Sequence, residues 1–236
     1  MPQHQEHNHP LGEQTLKVKA AGQTWLLARP ADLETLWNAI SDADVTPQEF
    51  IDDERLPYWV EIWPSSLVLA DWLRDHAGEI SGKTCLDLGC GLGLTALVAA
   101  RAGARVLAMD YEPEALRFAS RNAALNLVSP PPVWSVMDWR RPAVKAASFD
   151  FIWGGDIMYE RRFVDPVLAF LGHALKPGGR AWMAEPGREV YAHFRSALAT
   201  RKRLGRPWNS AKVHSAQVEA LTEQKVKPGI NLWELS

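Results

Sequence analysis

The chain has 236 residues, 47% apolar and 23% charged, with a formal net charge of −2. This length suits one large domain with a well-buried core, and near-neutrality removes the electrostatic case for nucleic acid as the main partner. Two cysteines, Cys85 and Cys90, are too few for a disulfide framework or a zinc ligand set, and no apolar run reaches membrane-spanning length.

The chain opens on a polar, His-rich stretch without the apolar core of a signal peptide. Together with the free cysteines this leads us to expect a reducing, cytoplasmic setting. His4, His7 and His9 read as a solvated terminus, because no carboxylate or thiol cluster completes a metal-ligand set there. Leu16 to Lys19 and Thr24 to Ala28 are short β-like runs around Ala-Gly-Gln, which predicts a hairpin, and an amphipathic stretch from Ala31 to Ile40 predicts a helix. Residues 41 to 57 are acidic and irregular, the composition of a mobile lid or a partner-contacting loop. Residues 1 to 55 thus form a small N-terminal extension, ahead of a main domain over 56 to 236.

From there strands and helices alternate. Pro64 occupies a first-turn position, with Leu67, Leu69, Ala70, Trp72 and Leu73 following it in a helix. Strands are expected at 84–88, 105–109, 133–137, 149–153, 181–184, 211–218 and 229–235. Helices are expected at 92–103, at 113–127, through Phe163 to Ala174 until Pro177-Gly178-Gly179 ends it, and near 188–203. Such alternation implies parallel pairing with right-handed crossovers, hence an α/β, doubly wound, mostly parallel sheet with helices on both faces. The short link between the last two strands predicts an antiparallel hairpin at one edge. Ligands of such sheets bind beyond the carboxyl ends of the central strands.

Those strand ends carry the chemistry. After Leu88 comes Gly89-Cys-Gly-Leu-Gly93, and the next strand closes on Asp110. A glycine turn exposing bare backbone, with a ribose-binding acid on the neighbouring strand, reads as a nucleoside site. The dinucleotide pattern fails at its third glycine, where Leu94 stands, and Asp87 before the turn repels a pyrophosphate but suits a cation. S-adenosylmethionine is a ligand of that kind: a sulfonium, an ammonium, a ribose diol and no phosphate. Asp110 is the candidate for the diol, with a helix cap as its plainer role. Asp138 is the candidate acceptor for the adenine amine, with Trp139 as an apolar wall or ordinary core. Trp63 either closes over the cofactor or staples the helix that follows it. Asp156 and Tyr159, after the fourth main strand, are the candidates for the acceptor substrate, against a cap-and-packing alternative.

Taken together, Cys85-Leu-Asp-Leu-Gly-Cys-Gly-Leu-Gly93, Asp110, Asp138-Trp139, Asp156-Ile-Met-Tyr159 and Leu175-Lys-Pro-Gly-Gly179 resemble the class I, seven-β-strand, S-adenosylmethionine-dependent methyltransferases with their Rossmann-like fold. Pro57-Tyr-Trp-Val-Glu-Ile-Trp-Pro64 with the Asp-x-x-Tyr motif resembles the family 16 protein lysine methyltransferases. Glu185-Pro-Gly-Arg188 and Trp233 are similar to the electron transfer flavoprotein β-subunit lysine methyltransferases, although that subfamily tends to have Asp where Glu185 stands. The resemblance implies that Trp63, Gly89, Cys90, Gly91, Asp110, Trp139 and Gly155 contact S-adenosylmethionine and that Asp156 and Tyr159 face a lysine of a protein substrate, with electron transfer flavoprotein β subunit the first candidate. No metal, nucleic-acid or membrane partner is expected, and the oligomeric state stays open. A small-molecule N-methyltransferase, an inactive cofactor-binding interaction module and, last, a dinucleotide oxidoreductase are the competing readings.

Overall fold

The structure is a computed structural model, and it describes residues 12–36, 57–218 and 228–236. The three N-terminal histidines, the end of the predicted 31–40 helix and all but the last residue of the acidic 41–57 segment lie outside those residues.

The predicted hairpin is present and longer than its apolar runs. Strand β1 (Glu13–Ala20) pairs antiparallel with β2 (Gln23–Pro30) through a turn at Ala21 and Gly22, both with positive φ. Its Val18, Trp25 and Leu27 are buried.

The main sheet has seven strands in the order β10-β11-β7-β6-β3-β4-β5. These are β3 (Thr84–Leu88), β4 (Arg105–Asp110), β5 (Val133–Val136), β6 (Phe149–Gly155), β7 (Leu175–Glu185), β10 (Ser210–Gln217) and β11 (Gly229–Leu235). The pairs β3·β4, β4·β5, β3·β6 and β6·β7 are parallel, whereas β11 runs antiparallel to both β7 and β10, forming the expected edge hairpin. Winding proceeds outward from β3 through β4 and β5 and then resumes at β6, so the direction reverses between β3 and β6. That reversal opens a crevice at the strands' carboxyl ends.

Helices cover both faces, and the alternation of side chains along the strands divides the core in two. On one face α1 (Pro64–Asp75), α3 (Leu94–Arg101) and α4 (Pro113–Leu125) pack Leu69, Leu97 and Phe118 against Cys85, Trp153 and Trp182. On the other, α5 (Val164–Ala174) and α6 (Glu189–Thr200) pack Phe170, Leu171 and Phe194 against Leu86, Ile152 and Met183. A short α2 (Ala77–Ile80) leads into β3.

The chain departs from its predicted elements near Pro177. Helix α5 stops at Ala174, before the proline, and β7 begins at once at Leu175 instead of near 181. Pairing jumps from Phe149↔Leu175 to Phe151↔Arg180, a bulge that expels the residues between. Gly179 permits it, since a Cβ there would stand 3.0 Å from the carbonyl oxygens of Phe149, Asp150 and Lys176. The last predicted helix also ends earlier, at Thr200, and is followed by a small hairpin of β8 (Lys202–Arg203) and β9 (Arg206–Pro207). There the buried Arg203 donates to the carbonyls of Leu175 and Lys176 at the bulge.

Candidate active site

A cavity of about 550 Å³ opens at the crevice, and Trp63, Asp87, Gly89, Cys90, Gly91, Asp110, Asp138, Trp139, Gly155, Asp156 and Tyr159 all line it. The residues singled out in the sequence are therefore brought together in one space.

Its inner wall is the glycine turn. The N–H groups of Gly89 and Cys90 donate to the Met109 carbonyl, and Gly91 donates to Asp110 Oδ2 at 2.8 Å, so the turn is lashed to the end of β4. Gly89 has φ +72, and a Cβ there would stand 2.9 Å from Ile157 Cγ2. Only glycine allows this approach. Helix α3 starts at Leu94, later than expected, because Gly93 ahead of it sits at φ +86.

Two buried carboxyls flank the turn. Asp87 accepts the Thr95 hydroxyl at 2.6 Å, and burial pushes its carboxyl up to about 7 against that stabilising bond. Asp110 is raised for the same reason, burial outweighing the backbone N–H groups of Glu112 and Gly91. Glu112 occupies the N-cap position of α4, so Asp110 is not that helix's cap residue. Asp138 is turned towards Arg140: its two oxygens accept from Nε at 3.0 and 2.8 Å, and Oδ1 also accepts the Arg140 N–H.

The mouth is aromatic. Trp63 donates its indole N–H to the Tyr58 carbonyl and meets the Tyr58 ring edge-on, with centroids 6.0 Å apart. Tyr58 in turn meets Tyr159 at 5.2 Å, Tyr159 meets Phe163 at 5.0 Å, and Phe163 meets Trp139 at 5.4 Å. All five rings line the cavity.

Asp156 follows β6 with a left-handed backbone, φ +54, which is costly for a residue other than glycine. Its N–H donates to the Ala184 carbonyl, and its carboxylate accepts from Arg188 Nε at 2.8 Å and Nη2 at 3.0 Å. Burial raises this carboxyl above the ordinary range, opposed by the guanidinium. Asp156 does not cap the following turn, where Glu160 holds that position, whereas Tyr159 both packs on Phe163 in that turn and lines the cavity.

Sequence reasoning passed over Tyr58, Phe163, Arg140 and Arg188 as individual site residues. Tyr58 and Arg188 were legible only as members of longer motifs; Phe163 carried a core-helix signal and Arg140 none.

The residues fit S-adenosylmethionine. The glycine cradle leaves no space for a side chain, Asp87 can meet a cation, and a carboxylate accepts about four hydrogen bonds, so Asp110 keeps capacity for a ligand hydroxyl.

Comparison with known proteins agrees. A family described as "Methyltransferase domain" matches residues 85–179. Electron transfer flavoprotein beta subunit lysine methyltransferase of Rattus norvegicus is 32% identical over 140 residues, covering 58% of this chain and 53% of that protein. Protein N-lysine methyltransferase METTL21A of Mus musculus is 35% identical over 139 residues, covering 56% and 63%. The chain spans about half the length of the curated relatives it matches. Among solved structures, a 16S rRNA methyltransferase of T. thermophilus in complex with AdoMet and guanosine gives a TM-score of 0.59 at 16% identity, covering 94% of this chain and 50% of that one. Magnesium protoporphyrin IX methyltransferase of Synechocystis PCC 6803, with bound SAM, gives 0.55 at 15% identity, covering 87% and 91%. These likenesses are of fold.

Proposed function

We propose that this chain is a class I S-adenosylmethionine-dependent methyltransferase that transfers a methyl group to a lysine ε-amine of a protein substrate. One observation carries the reading: a single cavity joins the glycine turn and Asp110 at one end to Asp156, Tyr159 and the aromatic row at the other. Relatives bearing lysine methyltransferase names support it.

In this reading Asp110 and the turn Gly89 to Gly91 hold the nucleoside, Asp87 lies against its positive end, and Trp63, Trp139 and Gly155 close around it. When bound, S-adenosylmethionine supplies a methyl carbon whose bond to a positively charged sulfur breaks as an amine lone pair bonds to it. The protein's own task is alignment and charge. Asp156 accepts an N–H of the incoming amine and so orients its lone pair, while Tyr159, Tyr58 and Phe163 shape the channel. Asp138 serves the rim through Arg140.

Electron transfer flavoprotein β subunit is the first candidate substrate, through the relatives' names. No described helix is long and apolar enough to cross a membrane. A cytoplasmic location suits the buried free thiols Cys85 and Cys90.

The test is labelled S-adenosylmethionine with cell lysate, and with Asp156→Ala in parallel. A labelled protein band, lost in the variant while cofactor affinity persists, is the expected result. A labelled small molecule with no protein band overturns the protein reading. Methylation surviving within a few-fold in Asp156→Ala removes that residue from the acceptor site.

A further inference from the structure

We propose that Arg188 is a positioning residue for Asp156: its guanidinium screens that carboxylate, so that the acceptor occupies the site as a neutral amine and not as a trapped ammonium. The inference rests on the lysine reading above.

The geometry is specific. The Asp156 side chain is only 5% exposed, and its backbone is held at φ +54 with its N–H on Ala184, so the carboxylate cannot easily swing to water. Arg188 approaches from the turn after β7, itself 39% exposed, and donates two parallel N–H bonds that occupy both oxygens. The turn is built to aim it. Glu185, buried at the end of β7, accepts the Gly187 N–H and also accepts from Asn231 Nδ2 at 2.9 Å and Trp233 Nε1 at 3.1 Å on β11. Gly187, at φ +82, then turns the chain so that Arg188 points back to Asp156.

The chemistry explains why such a partner is needed. A free lysine has a pKa of about 10.4, so only about one side chain in 2500 carries a lone pair at pH 7. A bare buried carboxylate would hold the ammonium form more tightly still, which lowers the reactive fraction. With the guanidinium fork on it, Asp156 presents little net charge to an ammonium but keeps outward lone pairs for one amine N–H. The displaced proton goes to solvent, and the nitrogen's new positive charge appears only as the bond to carbon forms. The groups that act on the pair directly are Glu185 on the same turn and Tyr58 from the turn ahead of α1; on the cavity wall, Glu61, Asp138 and Glu160 are paired with Arg29, Arg140 and Arg162, and Asp87, Asp110, Glu112, Tyr111, Tyr159 and Cys90 complete the ionisable lining. Glu185 would worsen ammonium trapping, and Arg188 is the cation bonded to Asp156.

The experiment compares initial methylation rates of the full chain, Arg188→Gln, Arg188→Lys and Glu185→Gln on the protein band labelled in lysate, from about pH 6.5 to about pH 10, spanning the fall in ammonium towards its pKa. Arg188→Gln is expected to lose about tenfold or more at pH 7, the effect of one pKa unit, and to recover to within about threefold of the unaltered chain at pH 10. Arg188→Lys is expected to regain most of the neutral rate, with calorimetric affinity for S-adenosylhomocysteine unchanged in both, whereas Arg188→Gln also melts lower because it leaves the buried Asp156 carboxylate unpaired. A loss equal at every pH, or none at pH 7, overturns the inference and leaves the lysine reading standing. If the unaltered chain labels no protein, that reading fails and the inference with it. Should Arg188→Gln not fold, Glu185→Gln, which loosens the turn and spares the guanidinium, decides: a weaker alkaline shift supports the inference and an unmoved profile overturns it.

Discussion

Asp110 Oδ2 accepts the Gly91 backbone N–H at 2.8 Å, so the acid that closes β4 also holds the turn that closes β3. One carboxylate thereby shapes the glycine cradle and stands beside the ligand it cradles.

Replacement of Asp110 by Ala should remove both contributions. Hydrogen bonds to a charged group contribute about 1.5–3 kcal/mol each, so a loss of about 10- to 100-fold in affinity for S-adenosylmethionine is expected by titration calorimetry. Affinity within twofold of the unaltered chain would separate Asp110 from the cofactor.

Gly89→Ala tests the cradle by shape alone. The added methyl meets Ile157 Cγ2 at 2.9 Å, and φ +72 disfavours any side chain, a backbone cost of about 1–2 kcal/mol before the clash. The variant should melt lower and bind the cofactor more weakly; normal values for both would mean the turn relaxes freely.

Burial of Asp87 predicts a pH dependence with an unusual sign. Its carboxyl titrates near 7 when folded and near 3.9 when unfolded, so between those values the folded protein holds a proton that the unfolded chain has released. This group's contribution to stability is therefore greatest below about pH 4 and declines as pH rises towards 7. Cofactor affinity should run the other way, because a positively charged ligand favours the ionised carboxylate. Calorimetry on Asp87→Asn should show a flatter affinity profile, with Asp110 and Asp156, also raised, supplying what slope remains. An unchanged slope would exonerate Asp87.

The N-terminal hairpin is predicted to depend on Asn122. This fully buried side chain on α4 accepts the Ala28 N–H at 2.7 Å and donates to the carbonyls of Ala28 and of Leu92 in the glycine turn. Asn122→Ala strands those groups at about 1–3 kcal/mol for each left unpaired. Denaturant melts should shift down, and limited proteolysis should cut the hairpin first; a hairpin as resistant as before would contradict this.

Tyr159 offers a contrast between ring and hydroxyl. Its edge contacts with Tyr58 and Phe163 use the ring, so Tyr159→Phe should methylate within a few-fold of the unaltered chain while Tyr159→Ala loses about tenfold or more, in line with removing two aromatic pairs of about 0.5–1.5 kcal/mol each. The reverse ranking would assign the work to the hydroxyl.

Periodicity and punctuation alone made the alternating strands and helices, the glycine turn, and the acids at the ends of β3 and β4 legible, because each depends on neighbours within a few residues and on the rule that ligands sit at strand carboxyl ends. The strand that begins at Leu175 escaped that reading, since Pro177-Gly178-Gly179 looks like a terminator unless the carbonyls it must approach are known. Contacts between distant parts of the chain belong to the tertiary structure: Arg188 on Asp156 across 32 residues, Asn122 on the hairpin across 94, and Tyr58 against Tyr159. Local sequence carries backbone propensity and side-chain chemistry, but which charge neutralises which is decided only when β6 and β7 lie side by side and bring their following loops within hydrogen-bond reach.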